Sequence, residues 1–200
     1  MEPTDQEDKS CMAFAGTTRV ARGAPVQVAV EARAWLDAHP DQSILFFDCN
    51  TGQQLEFDLR GSPDEIRARL IPPEVSPAPE KKPGPGRPKL GVVCQEVCLL
   101  PRHWEWLASQ PQGASGTLRR LVDDARKANA GKDRARRSQE AAHKFMWAMA
   151  GNLPDFEEAS RAFYAKDYPA MKAMVQGWPA DVRDSLWELV ERARLHDEQA

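Results

Sequence analysis

The residues best suited to a chemical role lie in a short basic stretch, Pro83-Gly84-Pro85-Gly86-Arg87-Pro88-Lys89. Its Gly-Arg-Pro core is narrow and extended, so the Arg87 guanidinium can enter the minor groove of duplex DNA. That groove is narrow and strongly negative in A·T tracts, and such a segment therefore prefers them. The stretch predicts binding of double-stranded DNA, A·T-rich sequence preferred. The contacts predicted here are Lys81, Lys82, Gly86, Arg87 and Lys89.

The same residues resemble the AT-hook, a segment centred on Arg-Gly-Arg-Pro that folds when it binds DNA. Pro85 stands where that motif has its first arginine, and the neighbouring lysines compensate in part for the missing charge. The alternative is a basic, proline-rich linker, since proline recurs through residues 71–89 and favours extended chain without a core. The residues alone leave both interpretations open.

A strand-helix-helix pattern follows over residues 90–128. Val92 to Leu100 is rich in β-forming residues, Pro101 opens a helix, and Ser115 can cap a second one. In that second helix an apolar stripe at i, i+3, i+4 and i+7 consists of Leu118, Leu121, Val122 and Ala125.

This pattern resembles the ribbon-helix-helix fold, in which two chains pair one strand each and the ribbon enters the major groove. The resemblance implies a homodimer, with Ser115, Gly116 and Thr117 contacting phosphate at a helix N-terminus. The remaining predicted nucleic-acid contacts are Arg102, Arg119 and Arg120. The strand departs from the family because one face carries mostly apolar residues and the other carries Glu96. The alternative is a dimerisation or core element that reads no bases.

Charge is distributed unevenly along the chain. Residues 81–137 contain thirteen Lys and Arg against five Asp and Glu, a net charge of +8, and the rest of the chain carries −11. Such asymmetry indicates an anionic partner, often nucleic acid. The other explanation is that the basic segment pairs with the acidic flanks of the same chain.

Recognisable catalytic constellations are absent from the sequence. Phosphate-binding loops, zinc-protease motifs and nucleophile elbows are all missing. The four histidines are scattered, and Cys94 and Cys98 would sit about 13 Å apart along a strand, too far to share one metal ion. We therefore expect a non-enzymatic protein without metal, cofactor or an evident small-molecule ligand. The alternative to DNA binding is a protein-interaction or scaffold module that dimerises.

The hydrophobic pattern predicts an α+β protein. Residues 1–11 are expected to form a disordered acidic tail, 12–70 a small α+β domain, and 71–89 a linker. The strand-helix-helix unit over 90–128 and a helical region over 129–200 complete the chain. The acidic start lacks a signal peptide and no apolar run approaches membrane-spanning length, so we expect a cytoplasmic protein with reduced thiols.

Several runs of residues resemble an uncharacterised bacterial family catalogued as a domain of unknown function, DUF 2239. The resemblance extends over about residues 12–195 and implies a bacterial source, but it brings no activity, substrate or catalytic residue. The runs that carry it are 86–93 (Gly-Arg-Pro-Lys-Leu-Gly-Val-Val), 99–107 (Leu-Leu-Pro-Arg-His-Trp-Glu-Trp-Leu), 113–115, 118–122, 148–154 and 177–180.

Overall fold

A computed structural model describes residues 10–71, 93 and 95–200 of the chain. The predicted tail falls almost wholly outside these residues, and so does the linker. The same holds for five predicted DNA contacts: Lys81, Lys82, Gly86, Arg87 and Lys89.

The described residues form a four-stranded antiparallel sheet and helices that follow or flank it. The strands are β1 (Cys11–Ala15), β2 (Thr18–Gly23), β3 (Ile44–Asp48) and β4 (Gln54–Leu55). The helices are α1 (Pro25–Ala38), α2 (Pro63–Leu70), α3 (Pro101–Ala108), α4 (Gly113–Ala150), α5 (Phe156–Tyr164), α6 (Tyr168–Met174) and α7 (Ala180–Glu198), with a 3₁₀ turn over Val175–Gly177. The predicted α+β class is confirmed.

Local signals place the first two helices where the sequence predicts them. Proline at the first helical position of α1 matches the fixed φ that a helix start needs. In α2 the Ser62 hydroxyl accepts from the Glu65 backbone N–H, and the Glu65 carboxylate accepts from the Ser62 N–H. The hydrogen bond from the Ser62 backbone N–H to the Glu65 carboxylate is the main cause that holds the pKa of Glu65 below its usual value, because it favours the anion.

The N-terminal strand differs from its prediction. A single strand over residues 14–21 was expected, whereas β1 and β2 form a hairpin that turns at Gly16 with φ +57°. Glycine tolerates this left-handed conformation without the penalty that a Cβ brings. The one hairpin predicted from the sequence, with strands over residues 43–48 and 54–59, is confirmed as β3 and β4, although β4 is shorter than expected. The strand order is β2-β1-β3-β4.

Each face of the sheet packs against helices. Cys11, Ala13 and Phe46 point to one face, where they meet Val28 and Ala32 of α1. Residues of the opposite face join the buried side chains of α4, α5, α6 and α7 in one apolar cluster, to which the sheet contributes Met12, Phe14, Phe47 and Cys49. The rings of Phe14 and Phe47 lie 5.5 and 5.2 Å from that of Phe145 in α4. The N-terminal residues, predicted as a domain by themselves, thus share a core with the C-terminal helices.

Polar contacts fasten the sheet to α7. The Arg19 backbone N–H donates to Asp181 at 2.8 Å, and its guanidinium donates to Ser185 at 3.0 Å. Arg192 donates to the Asn50 side chain at 2.9 Å and to the Cys49 carbonyl. These contacts join residues more than 140 positions apart, so they reinforce the shared core.

The chain divides into two compact units. The large unit comprises residues up to 72 together with 131–200, and the small unit comprises residues 73–130, of which 93 and 95–130 are described. The predicted strand-helix-helix unit ended at residue 128, but α4 runs uninterrupted from residue 113 to 150. Its first half belongs to the small unit and its second half to the large one.

The described cysteines differ in reactivity. Cys11 and Cys49 are buried on opposite faces of the sheet, whereas Cys98 is exposed. Burial above all, and then the charges of Cys49 and Asp48, raise the pKa of Cys11 to about 12. In a Cys94→Ser variant at pH 8 we expect a disulfide reagent to modify Cys98 rapidly and the two buried thiols only after denaturation, because the thiolate is the reacting form. Absorbance of the released thiolate measures this, and fast modification of Cys11 would contradict the burial seen here.

Candidate nucleic-acid interface

The small unit consists of an extended segment and two consecutive helical elements. Residues 95–100 are extended, α3 begins at Pro101, and Gly113 with φ +65° opens α4 after a tight turn. The Gly113 N–H donates to the Gln110 carbonyl at 2.9 Å and closes that turn. The two helices follow one another as predicted, but the predicted strand is not seen, because residues 95–100 are extended and pair with no strand among the described residues.

The small unit has a very small interior. Leu107 and Thr117 are its buried residues, at 2% and 1% exposure. An apolar crevice of about 250 Å³ opens beside them and is lined by Leu99, His103, Trp106, Leu107, Leu118 and Leu121. Thr117, predicted to contact phosphate, is therefore turned inward, while Ser115 is exposed in the first turn of α4.

Large apolar side chains cover much of the surface of the small unit. Six of them are between two fifths and three fifths exposed: Val97, Leu100, Trp104, Trp106, Leu121 and Val122. Monomeric soluble proteins seldom expose a contiguous apolar patch of this kind unless it binds something.

The first half of α4 is amphipathic in an unusual way, with an apolar side opposite a basic one. At about 100° of rotation per residue, Arg119, Arg120, Arg126 and Lys127 fall within one third of the helix circumference. Asp123 lies among them. Leu118, Leu121, Val122 and Ala125 occupy the opposite side. We call the first set the basic face and the second the apolar face.

The cations of the small unit lack anionic partners in the described structure. Arg102 and the four cations of the basic face are exposed and form no ion pair with a described residue. By contrast, every arginine of residues 10–71 forms one, namely Arg19, Arg22, Arg33, Arg60, Arg67 and Arg69.

The summed charge of the described part of the small unit is modest. Residues 95–130 carry five cations and four anions, a net charge of +1. The +8 of residues 81–137 thus comes mainly from residues 81–94 and 131–137. Four of the five cations lie together on the basic face of α4. Two of the four anions, Glu96 and Glu105, lie outside that helix, so positive charge predominates on this face.

A serine-histidine contact in the large unit escaped the sequence analysis. Ser138 Oγ lies 2.7 Å from Nδ1 of His196, joining α4 to α7. The two residues are 58 positions apart, and no local pattern marks them. Ser138 is 5% exposed, so its hydroxyl is enclosed by the helices and fastens them together.

Clusters that would hold a metal ion are not found in residues 10–71, 93 and 95–200. In particular, no three His, Cys, Asp or Glu side chains converge there. The helices of the same residues include none that is long and apolar enough to span a membrane.

Comparison with known proteins gives a family and nothing further. No curated protein and no solved structure matches the chain. The sequence model of one family, described as an uncharacterized protein conserved in bacteria (DUF2239), matches residues 10–190. That match covers nine tenths of the chain and confirms the resemblance seen in the sequence. The chain belongs to this bacterial family, DUF2239.

Proposed function

We propose that this protein is a non-enzymatic, homodimeric DNA-binding protein, in which the basic face of α4 contacts phosphates. The proposal rests on Arg102 and the four cations of the basic face, which form no ion pair with a described residue. By contrast, every arginine of residues 10–71 forms an ion pair. Unpaired cations on one side of a helix attract a polyanion, and each phosphate contact releases condensed counterions.

The exposed apolar side chains of the small unit support the homodimer. At half exposure, side chains of this size present on the order of 100 Å² each, so the six exposed ones offer on the order of 600 Å² per copy. A stable interface buries about 800 Å² per partner, and the extended residues 95–100, which pair with no described strand, help to reach that area.

A dimer assembled in this way presents two basic faces, because the basic side of α4 points away from the apolar one. Apolar residues on the extended segment give little base readout, so we expect recognition by charge and shape. The preference for A·T-rich duplex is assigned to Arg87 and Lys89, which lie outside the described residues.

The test is a titration of labelled A·T-rich and G·C-rich duplexes with the full chain at two salt concentrations. We expect tight binding at about 50 mM salt that weakens steeply by about 200 mM. Arg119→Ala with Arg120→Ala removes two contacts per copy, so the slope of log affinity against log salt becomes shallower by about 2 to 4. Asp123→Asn removes the anion of the basic face and strengthens binding.

Arg67→Ala is the matched control, because Arg67 is an exposed helical arginine of the large unit already paired with Asp64 at 2.8 Å. It removes one positive charge, as the loss of Arg119 alone does, and is expected to leave DNA affinity unchanged. Lack of binding at low salt would refute the DNA proposal. If Arg67→Ala weakens binding as much as loss of Arg119 does, the attraction is general and the basic face is not its site.

The second candidate function is an interaction module that dimerises and ignores nucleic acid. The exposed Trp104, Trp106 and Leu121 favour it, since large apolar anchors dominate protein interfaces. Measuring molar mass on the titration sample separates the two functions. A dimer that binds duplex supports the first proposal, and a dimer that does not bind supports the second.

A further inference from the structure

A groove in the large unit has the features of a small-molecule site. It lies between the β3–β4 turn and α4, has a volume of about 500 Å³, and is lined by Gly52, Gln53, Gln54, His143, Lys144, Trp147 and Ala148. Ligand pockets typically have volumes of roughly 300 to 1,000 Å³. This groove plays no part in the DNA proposal.

One wall of the groove is a turn held rigidly from several directions. Asp48 accepts from the backbone N–H groups of Asn50 and Thr51 at 2.7 and 2.8 Å. Arg192 donates to the Asn50 side chain, and Gly52 lies directly against the α4 backbone. Such a preorganised wall lowers the entropy that binding must offset.

The other wall places an aromatic ring and polar groups side by side on α4. Trp147 is 65% exposed, yet its ring packs edge-on against Phe156 at 5.5 Å and is held in place. Its exposed face is available for stacking. Lys144 lies beside it and forms no ion pair with a described residue.

Several polar groups of the groove lack partners. His143 lines the groove, and its buried Nδ1, which a ligand in the groove does not reach, has no hydrogen-bond partner among the described residues. The side-chain amides of Gln53 and Gln54 also bond to no described residue. The lining contains one cation and no carboxylate.

We propose that this groove binds a small molecule with a planar aromatic ring and one anionic group. The ring stacks on Trp147, the anion pairs with Lys144, and the amides of Gln53 and Gln54 bond to polar atoms on the ring edge. A nucleoside monophosphate and an aromatic carboxylate share this chemistry. The polar elements of the ligand thus match Lys144, Gln53 and Gln54, whose side chains bond to no described residue, and its ring matches the exposed part of Trp147.

The test is calorimetric titration of the full chain with AMP, adenosine, ribose 5-phosphate and benzoate. We expect AMP to bind with a Kd below about 1 mM, and adenosine and ribose 5-phosphate at least about tenfold more weakly, because each lacks one of the two features. Benzoate binding as well as AMP identifies any aromatic anion as a ligand. AMP binding alone identifies a nucleotide.

Variants separate this site from other anion sites. Lys144→Gln and Gln54→Glu weaken AMP binding at least about tenfold, since the first removes the cation and the second adds a repelling charge. Gln54 lies at the sheet edge, so its variant keeps the fold, which thermal melting verifies. Lys172→Gln is the control, because Lys172 also lies over a tryptophan, 5.5 Å from the Trp187 ring.

Two results would overturn the site. One is the lack of saturable binding of both AMP and benzoate at about 5 mM. The other is AMP binding that Gln54→Glu and Lys144→Gln leave unchanged but that the loss of Arg119 and Arg120 abolishes, which would place the anion on the basic face.

Discussion

Leu121→Asp is expected to convert the protein from a dimer into a monomer. Leu121 is 42% exposed on the apolar face of α4 and lines the apolar crevice of the small unit. In the dimer the aspartate would be buried against apolar side chains of the second copy, and an unpaired buried charge costs several kcal/mol. A loss of about 4 kcal/mol weakens a micromolar dimer roughly a thousandfold.

Light scattering after gel filtration measures this change. The wild-type chain should have twice the chain mass of 22.4 kDa, and the variant should have that mass itself. Arg119→Asp is the control, because it puts the same residue on the opposite side of the same helix. It is expected to keep the dimer and to lose DNA affinity. A wild-type monomer at high concentration, or a variant that remains dimeric, would contradict the interface.

DNA affinity should follow the oligomeric state. A dimer joins two basic faces, so its binding of one duplex benefits from the high effective concentration of the second face. The monomeric Leu121→Asp variant keeps every cation and is expected to bind at least about tenfold more weakly. Its salt dependence should become shallower by about half, because half of the phosphate contacts are lost.

Elements with local signals were predictable from the sequence. Pro25 fixes the start of α1, and Ser62 with Glu65 fixes that of α2, because the capping atoms lie within four residues of one another. The turn over residues 50–52 likewise follows from its own residues. The first backbone N–H groups of a helix have no partner within the helix, and nearby side chains in the sequence supply one.

The continuity of α4 was not predictable in the same way. The predicted strand-helix-helix unit ended at residue 128 and a separate helical region began at 129, next to which Asn129 and Gly131 have low helix propensity. The structure keeps the helix intact, and Asn129 donates from its side chain to the Ala125 carbonyl at 2.8 Å. Propensity is a weak term, and packing of the flanking segments outweighs it over 38 residues.

The candidate sites, like the continuity of α4, depend on tertiary contacts that local sequence patterns do not reveal. Positions of Arg119 and Arg120 follow from the sequence, but whether they have anionic partners depends on what folds next to them. Contacts such as Arg19 with Asp181 join distant positions, and no periodicity reveals them. The groove around Trp147 arises from a turn and a helix about 90 residues apart, so it could be found only once the fold was known.

Gly52→Ala is expected to destabilise the large unit by several kcal/mol. A Cβ at this position would lie 2.2 Å from the Ala141 carbonyl oxygen and 2.8 Å from two further backbone atoms. Because α4 cannot yield without breaking its own hydrogen bonds, the turn must move away from the helix. That movement disrupts the contacts of Arg192 with Asn50 and Cys49. The φ of +65° adds a penalty of about 1 kcal/mol for any residue with a Cβ.

Gly16→Ala provides the matched control. Gly16 has a similar φ of +57°, but a Cβ there would meet nothing within 4 Å. The free energy of unfolding of the control variant should therefore fall by about 1 kcal/mol, from the backbone conformation alone. The further loss in Gly52→Ala measures the close approach of the turn to α4. Urea unfolding followed by circular dichroism gives both free energies of unfolding. We expect an excess of at least about 2 kcal/mol, a large share of the 5 to 15 kcal/mol typical of folded domains. Equal costs for the two variants would mean that the turn does not rest on α4, and the groove would then lose its rigid wall.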